Sequence, residues 1–218
     1  MINKDKLLCG QAGPVGSREI TMAEQAEQTT VFNEAQGQAL VRLARQTIAA
    51  ELGRPVAAVV PDILADPALQ ARHGTFVTLH LSGALRGCIG SLVALEPLVD
   101  GVRRNAMNAA FQDPRFSPLT VDELNELDIE VSVLTDPAPL EYKDGADLLA
   151  KLRPNIDGVI IRQGHAAATF LPQVWDQLPE PADFLAHLCR KAGLPMDAWQ
   201  QGNLVVSTYQ VQYFSEKP

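Results

Sequence analysis

Residues 75–92, with the sequence TFVTLHLSGALRGCIGSL, decide the fold that we predict for this chain. Strand-forming residues fill positions 75–81, Ser82-Gly83-Ala84 is typical of a turn, and the residues from Leu85 onward return as a second strand. Two strands that are joined by so short a turn pair antiparallel. The sequence therefore predicts a β-hairpin in this part of the chain.

The segments on either side of the hairpin predict helices and further antiparallel strands. Asn33 and Gln36 have the spacing of a capping box at the start of a helix. Later helices are predicted from apolar periodicity over residues 98–110, 144–153 and 182–192. Strands are predicted over residues 128–135, as a second hairpin over 158–170, and as one long strand over 204–214. Because helices stand between strand pairs rather than after every strand, we expect an α+β fold of mainly antiparallel sheets flanked by helices.

Composition limits the classes of function. The chain has 218 residues, which favours one compact domain with two subdomains. Its formal net charge of -8 argues against nucleic acid and anionic membranes as partners. We expect neither a signal peptide nor a membrane span, since the charged start has no apolar run behind it. Three widely spaced cysteines, Cys9, Cys88 and Cys189, predict reduced thiols and a cytoplasmic location.

The first 32 residues differ from the rest of the chain. They contain a Gly- and Pro-rich stretch followed by a polar stretch with little apolar periodicity. We interpret residues 1–32 as a flexible extension, with an arm that docks on the body as the alternative. Residues 33–218 then form the folded domain.

The segment Leu85-Arg86-Gly87-Cys88-Ile89-Gly90 is the main candidate site. A nearby cation lowers a thiol pKa, and Arg86 stands two residues from Cys88, where a regular strand places side chains on one face. Gly87 and Gly90 remove side-chain bulk, so that a ligand can approach Arg86, Gly87, Ile89 and Gly90. Such a segment suits a nucleophile or a binding groove. The alternative is a buried structural cysteine, with glycines that mark a bulge or tight packing.

Three further residues could complete this site. His80, on the preceding strand, could act as the base for Cys88, although an isolated histidine has no specific spacing. Glu130 could pair with Arg86 or Arg115 and orient the site, or could face solvent as strand residues often do. Arg115 could bind an anion, or could bond to local carbonyl groups in its turn.

The sequence contains no motif for a metal, a cofactor or a nucleic acid. We find no Cys-x-x-Cys, no His-x-x-x-His and no phosphate-binding glycine loop, and so predict no metal and no cofactor. The Gly-x-x-Gly pattern of residues 87–90 is discounted as a nucleic-acid loop, because that loop requires flanking helices and strands are predicted here.

The hexapeptide at residues 85–90 resembles the signature of the AMMECR-domain family, whose bacterial and archaeal members are called AmmeMemoRadiSam system protein A. Further segments agree with the family in the same order along the chain, namely residues 74–79, 113–116, 130–134, 157–162, 170–175 and 184–194. Several collinear matches make a chance resemblance improbable, and together they cover about residues 33–214.

The resemblance implies a domain made of a larger and a smaller subdomain, with the signature near their junction. It also implies partners, a Memo-like protein related in fold to extradiol dioxygenases and a radical-SAM protein, but no agreed reaction. One hypothesis is a module that binds a small molecule, a peptide or a partner segment around Leu85-Gly90. The alternative is a cysteine-dependent enzyme or enzyme subunit, with Cys88 as nucleophile or covalent carrier and Arg86 as anion anchor.

Overall fold

The computed structural model describes residues 32–54 and 61–216, which form two compact units. The first and larger unit runs to Leu134 and resumes at Gln212, and the second is Thr135–Val211. Each unit contains an antiparallel four-stranded sheet and helices, which confirms the α+β prediction. The predicted extension lies outside the described residues up to position 31. Phe32 itself is buried, and its backbone N–H donates to Oε1 of Gln212 at 3.0 Å.

The elements follow one another in the order that the sequence suggests. The α-helices are α1 (Glu34–Glu51), α2 (Pro61–Leu64), α3 (Pro67–Gln70), α4 (Leu98–Phe111), α5 (Gly145–Lys151) and α6 (Pro181–Lys191). The strands are β1 (Thr75–Leu81), β2 (Ala84–Ser91), β3 (Leu127–Leu134), β4 (Ala138–Pro139), β5 (Gly158–Gln163), β6 (Ala166–Phe170), β7 (Val205–Tyr209) and β8 (Val211–Ser215). The sheet orders are β2-β1-β3-β8 and β4-β7-β5-β6.

Helix α1 begins where the capping box predicts. The side chain of Asn33 accepts a hydrogen bond from the N–H of Gln36 at 3.0 Å, and the side chain of Gln36 accepts one from the N–H of Asn33 at 2.9 Å. Both bonds satisfy donors that the first helical turn leaves without a partner. The apolar side of the helix, which includes Leu40 and Ile48, is completely buried.

The core of the first unit lies against one face of its sheet. Val77 and Leu79 of β1 and Ile129 and Val131 of β3 are buried there with the apolar residues of α1 and α4. Because side chains alternate along a strand, the residues between them point to the opposite face. This second face of the sheet carries Thr78 and His80 of β1 and Glu130 of β3.

The predicted strand over residues 204–214 is two strands, so that prediction is wrong. Strand β7 belongs to the second sheet and β8 to the first. Between them, the N–H of Gln210 donates to Oγ1 of Thr135, and the N–H of Thr135 donates to the carbonyl oxygen of Gln210, both at 2.9 Å. These bonds satisfy the backbone where the chain leaves one sheet for the other. Apolar alternation does not reveal such a crossing, because both segments have the pattern of a strand.

The second unit has a separate core that centres on two aromatic rings. Trp175 stacks on Phe184 with ring centroids 3.7 Å apart, and its indole N–H donates to the carbonyl oxygen of Asp157 at 2.8 Å. Cys189 is buried in this core with no disulfide partner. None of the helices in the described ranges is both long enough and apolar enough to cross a membrane.

Gly87 allows β2 to approach the last turn of α4. A Cβ atom at this position would lie 2.2 Å from the carbonyl oxygen of Ala109, far inside van der Waals contact. We therefore expect Gly87→Ala to lower the free energy of unfolding by about 2 kcal/mol, because either the strand or the helix must move. Urea denaturation would measure the change, with Ala84→Ser at an exposed position of the same strand as the control. An unchanged stability would contradict this close contact.

Candidate functional site

The candidate site is the face of the first sheet that points away from its core, which we call the polar face. It comprises Phe76, Thr78, His80, Cys88, Gly90, Asp128, Glu130 and Ser132. Thr78 of β1 is paired with Cys88 of β2 on one side and with Glu130 of β3 on the other. Directly opposite residues share a face, so a thiol, a hydroxyl and a carboxyl group stand in one row across three strands.

Cys88 is buried at the edge of this row. Its exposed fraction is only 3%, yet it belongs to neither apolar core. The hydroxyl group of Thr78 donates a hydrogen bond to Sγ of Cys88 at 3.4 Å. The thiol is therefore part of a polar arrangement rather than of the apolar packing.

The backbone of Cys88 is held by side chains instead of by another strand. Strand β2 is at the edge of the sheet, where backbone groups lack a neighbouring strand. The N–H of Cys88 donates to Oδ2 of Asp113 at 2.9 Å, and its carbonyl oxygen accepts from Nη2 of Arg115 at 3.2 Å. Because these groups point away from β1, Cys88 and Thr78 form a non-hydrogen-bonded pair, in which side chains come closest.

Asp113 and Arg115 form a bidentate ion pair beside the edge. Nε and Nη2 of Arg115 donate to the two carboxylate oxygens of Asp113 at 2.9 and 2.7 Å. Burial raises the pKa of Asp113, but the hydrogen bonds from Arg115 and from the N–H of Cys88 outweigh it and leave the pKa below its usual value. Of the two roles considered for Arg115, these contacts agree with local bonding, including a backbone carbonyl.

Arg86 leaves the regular alternation of β2 and pairs with Glu123. Leu79 pairs with Gly87 but His80 pairs with Leu85, so Arg86 is the extra residue of a β-bulge. A bulge redirects the side chain of the extra residue. Its guanidinium donates to Glu123 at 2.7 and 3.2 Å and to the carbonyl oxygen of Ser117 at 2.9 Å.

The Arg86–Glu123 ion pair is mostly shielded from water. The exposed fractions of the two side chains are 13% and 23%. The hydrogen bonds from Arg86 lower the pKa of Glu123 to about 2 against the opposing effect of burial. Phe116 lies near both arginines, with its ring centroid 5.9 Å from the guanidinium of Arg86 and 5.4 Å from that of Arg115.

The other signature residues serve packing. Ile89 contacts the first core, and Gly87 faces α4. Gly90 is on the polar face, but a Cβ atom there would lie 2.2 Å from the ring of Phe76. The space that Gly90 leaves is therefore filled by Phe76.

Glu130 is a carboxyl group without an ion-pair partner among the described residues. Arg86 and Arg115 pair with Glu123 and Asp113 instead of Glu130. Burial raises the pKa of Glu130, and the Ser132 hydroxyl group lowers it by a smaller amount. The sequence suggested a solvent-facing residue as one alternative, whereas the structure half-buries it.

His80 lies one row away from the thiol. It faces Leu85 on β2 and Asp128 on β3, so it is a diagonal neighbour of Cys88. Burial lowers the pKa of His80, and Asp128 raises it by a smaller amount. Within residues 32–54 and 61–216, no three His, Cys, Asp or Glu side chains come together in a way that could hold a metal ion.

The sequence analysis missed the residues that hold the site in place. These residues are Thr78, Asp113, Phe116 and Glu123. A signal was nevertheless present, because Asp113-Pro114-Arg115-Phe116 combines opposite charges, proline and an aromatic residue at a chain break.

Asp113→Ala should destabilise the chain by about 3 kcal/mol, because it leaves the N–H of Cys88 without its acceptor and removes the counter-ion of Arg115. Thermal or urea denaturation would measure this, with the exposed Asp122→Ala as the control. Hydrogen exchange at the amide of Cys88 should also become faster. An effect equal to that of Asp122→Ala would show that the edge contact contributes nothing.

Glu130→Gln should stabilise the chain near neutral pH. Below the pKa of the unfolded state, about 4.3, both states hold the proton and the substitution has little effect. Above that pH the unfolded chain loses the proton first, so wild-type stability falls until the raised folded pKa is passed. The size of the gain reports how far burial raises the pKa of Glu130 above its value in the unfolded chain.

Denaturation from pH 4 to about 8 would measure this difference, with the exposed Glu126→Gln as the matched control. A stability difference between wild type and Glu130→Gln that did not grow with pH would show that the carboxyl group is not strained by burial.

Comparisons with known proteins agree over most of the chain. A family model described as AMMECR1 matches residues 41–214. A protein of Methanothermobacter thermautotrophicus is 41% identical over 186 residues, which are 83% of this chain and 94% of that protein. A protein of Thermofilum pendens is 38% identical over 83% of this chain and 90% of its own length.

A solved structure supports the same assignment. The crystal structure of an uncharacterised protein from Pyrococcus horikoshii matches with a TM-score of 0.72 and 34% sequence identity, over 86% of this chain and 94% of that chain. The matched residues include the signature segment and strands of both units. The chain therefore belongs to the AMMECR1 family.

Proposed function

We propose that this chain is a binding component of a Memo and radical-SAM system, and that its polar face holds a ligand or a segment of a partner. The partners implied by the resemblance are Memo-like and radical-SAM proteins in the cytoplasm. The observation that carries the proposal is the state of Cys88. Its thiol is buried and accepts a hydrogen bond from Thr78, while Asp113 and Arg115 hold its backbone. Such a thiol suits a rigid binding surface.

The rest of the polar face supports a binding role. Thr78, His80 and Glu130 are half-buried on a sheet face whose opposite side already packs the core. Polar groups that are fixed on regular strands are positioned more rigidly than groups on loops. A ligand that touched this row would meet a hydroxyl and a carboxyl group with defined positions.

A second candidate function is a cysteine-dependent enzyme or subunit, with Cys88 as nucleophile or covalent carrier. The hydrogen bond from Thr78 to Sγ favours it, because donation to sulfur stabilises the thiolate. The weakness of this second candidate is the position of the general base, since His80 lies in the next row of the sheet rather than opposite Cys88. A nucleophilic cysteine normally has its base within hydrogen-bond reach.

The binding proposal predicts that bulk on the polar face weakens the partner complex. Thr78→Arg would project a long side chain over the row, and affinity for the purified Memo-like or radical-SAM protein should fall about tenfold or more. Isothermal titration calorimetry on the full chain would measure it. Ala84→Arg, at the exposed start of β2, adds the same charge as a control. Circular dichroism would check that both variants fold. Equal affinity of the two variants would contradict the proposal.

Cys88→Ser separates the two candidate functions. In a reaction reconstituted from this chain and both partners, the binding role predicts that the variant retains turnover and partner affinity. Loss of turnover with unchanged affinity would instead establish the enzymatic role of the thiol.

A further inference from the structure

The arginines near the signature do not offer positive charge to a ligand. Arg86 is paired with Glu123, and Arg115 is paired with Asp113 through two donors. Nη1 of Arg86 has no hydrogen-bond acceptor in the described part of the chain, but it is buried too deeply for a ligand to reach it in this conformation. Each pair is electrically neutral as a unit, so an anion gains little from approaching either one.

The polar face itself presents hydrogen-bond acceptors. The Thr78 hydroxyl group uses its proton on Sγ of Cys88, and only its lone pairs remain for a ligand. Glu130, its neighbour in the row, adds carboxyl oxygens that no cation of the described residues neutralises. Asp128 stands on the same strand and on the same face. A group that donates hydrogen bonds and carries positive charge would complement these atoms.

Glu130 also lowers the stability of the free chain. A half-buried carboxyl group with no counter-ion among the described residues is held in an unfavourable environment, and burial raises its pKa. Groups of this kind are concentrated at functional sites, where stability is lost in favour of binding or catalysis. A cationic ligand would supply the missing counter-ion.

We infer that the polar face binds a cationic nitrogen group, an ammonium or a guanidinium, with Glu130 as its counter-ion and Thr78 as a hydrogen-bond acceptor. This inference rests on the proposed function, because it specifies what the polar face binds. The group has two possible sources, a basic side chain of a partner protein or a free amine. The proposed ligand is therefore a cation, and not the anion that Arg86 was expected to bind.

The test compares ligands that differ only in charge. Butylammonium chloride, sodium butyrate and neutral butyramide are titrated into the full, isotope-labelled chain at constant ionic strength. Amide chemical shifts of Thr78, Cys88 and Glu130 report on binding. Butylammonium should move these signals in a saturable way, and butyrate should not. Movement by butyrate without butylammonium would overturn the inference.

The matched variants are Glu130→Gln and Glu126→Gln, which remove the same charge from the polar face and from an exposed position. Glu130→Gln should weaken butylammonium binding about tenfold, whereas Glu126→Gln should leave it unchanged. Equal binding by the two variants would overturn the inference. The comparison of butylammonium with butyrate in wild type needs no variant and holds even if one fails to fold.

Two further probes identify the source of the cation. Lysine with both backbone ends blocked represents a partner side chain, and spermidine represents a free amine. Tighter binding of the blocked lysine than of spermidine supports a partner side chain, and the reverse order supports a free amine.

The outcomes separate this inference from the proposed function. If butyramide or butyrate binds at the polar face in preference to butylammonium, the face is a binding site but its ligand is not cationic. If no probe moves the signals and Thr78→Arg leaves partner affinity unchanged, both the inference and the proposed function fail.

Discussion

The signature segment depends on the hydrogen bonds that the carboxylate of Asp113 accepts. It accepts the N–H of Cys88 on the open side of β2, while its partner Arg115 donates to the carbonyl oxygen of Cys88. Two side chains thus satisfy backbone groups at this edge of the sheet, which would otherwise be available to pair with another strand. The same contacts fix the register position at which Thr78 and Cys88 meet. Without the carboxylate, a buried amide would lack its acceptor and a guanidinium its counter-ion.

The charged side chains around the signature segment form two groups with different roles. Two carboxylates, on Asp113 and Glu123, neutralise the arginines along the edge of β2, where they hold the loop that follows α4. A third carboxyl group, on Glu130 of the polar face, has no counter-ion within residues 32–54 and 61–216. Structural ion pairs and an unpaired acid therefore lie on neighbouring parts of the same sheet. The cationic ligand that we propose is inferred from the hydrogen-bond acceptors of the polar face, and not from the arginine in the signature.

Local patterns predicted the elements well and the contacts between them less well. The capping box of Asn33 and Gln36, the first hairpin and the alternation in β3 are confirmed, because each depends on residues close in sequence. The long strand before the C-terminus was wrong, since only pairing with different sheets divides it at Gln210. The expectation that Arg86 shares a face with Cys88 rested on regular alternation, which a bulge interrupts at Arg86.

The sequence by itself determined the family, the α+β class, and the faces on which Cys88 and Glu130 lie. The class and the faces follow from local periodicity, which a strand imposes regardless of its neighbours, whereas the family follows from the collinear motifs. Only the tertiary structure decided which carboxylate pairs with which arginine, and that Glu130 has no ion-pair partner in the described part of the chain. The reason is distance along the chain, since Cys88 meets Asp113 across 25 residues and Arg86 meets Glu123 across 37. Contacts of that span depend on how β2, α4 and the following loop pack together, and no local pattern encodes that packing.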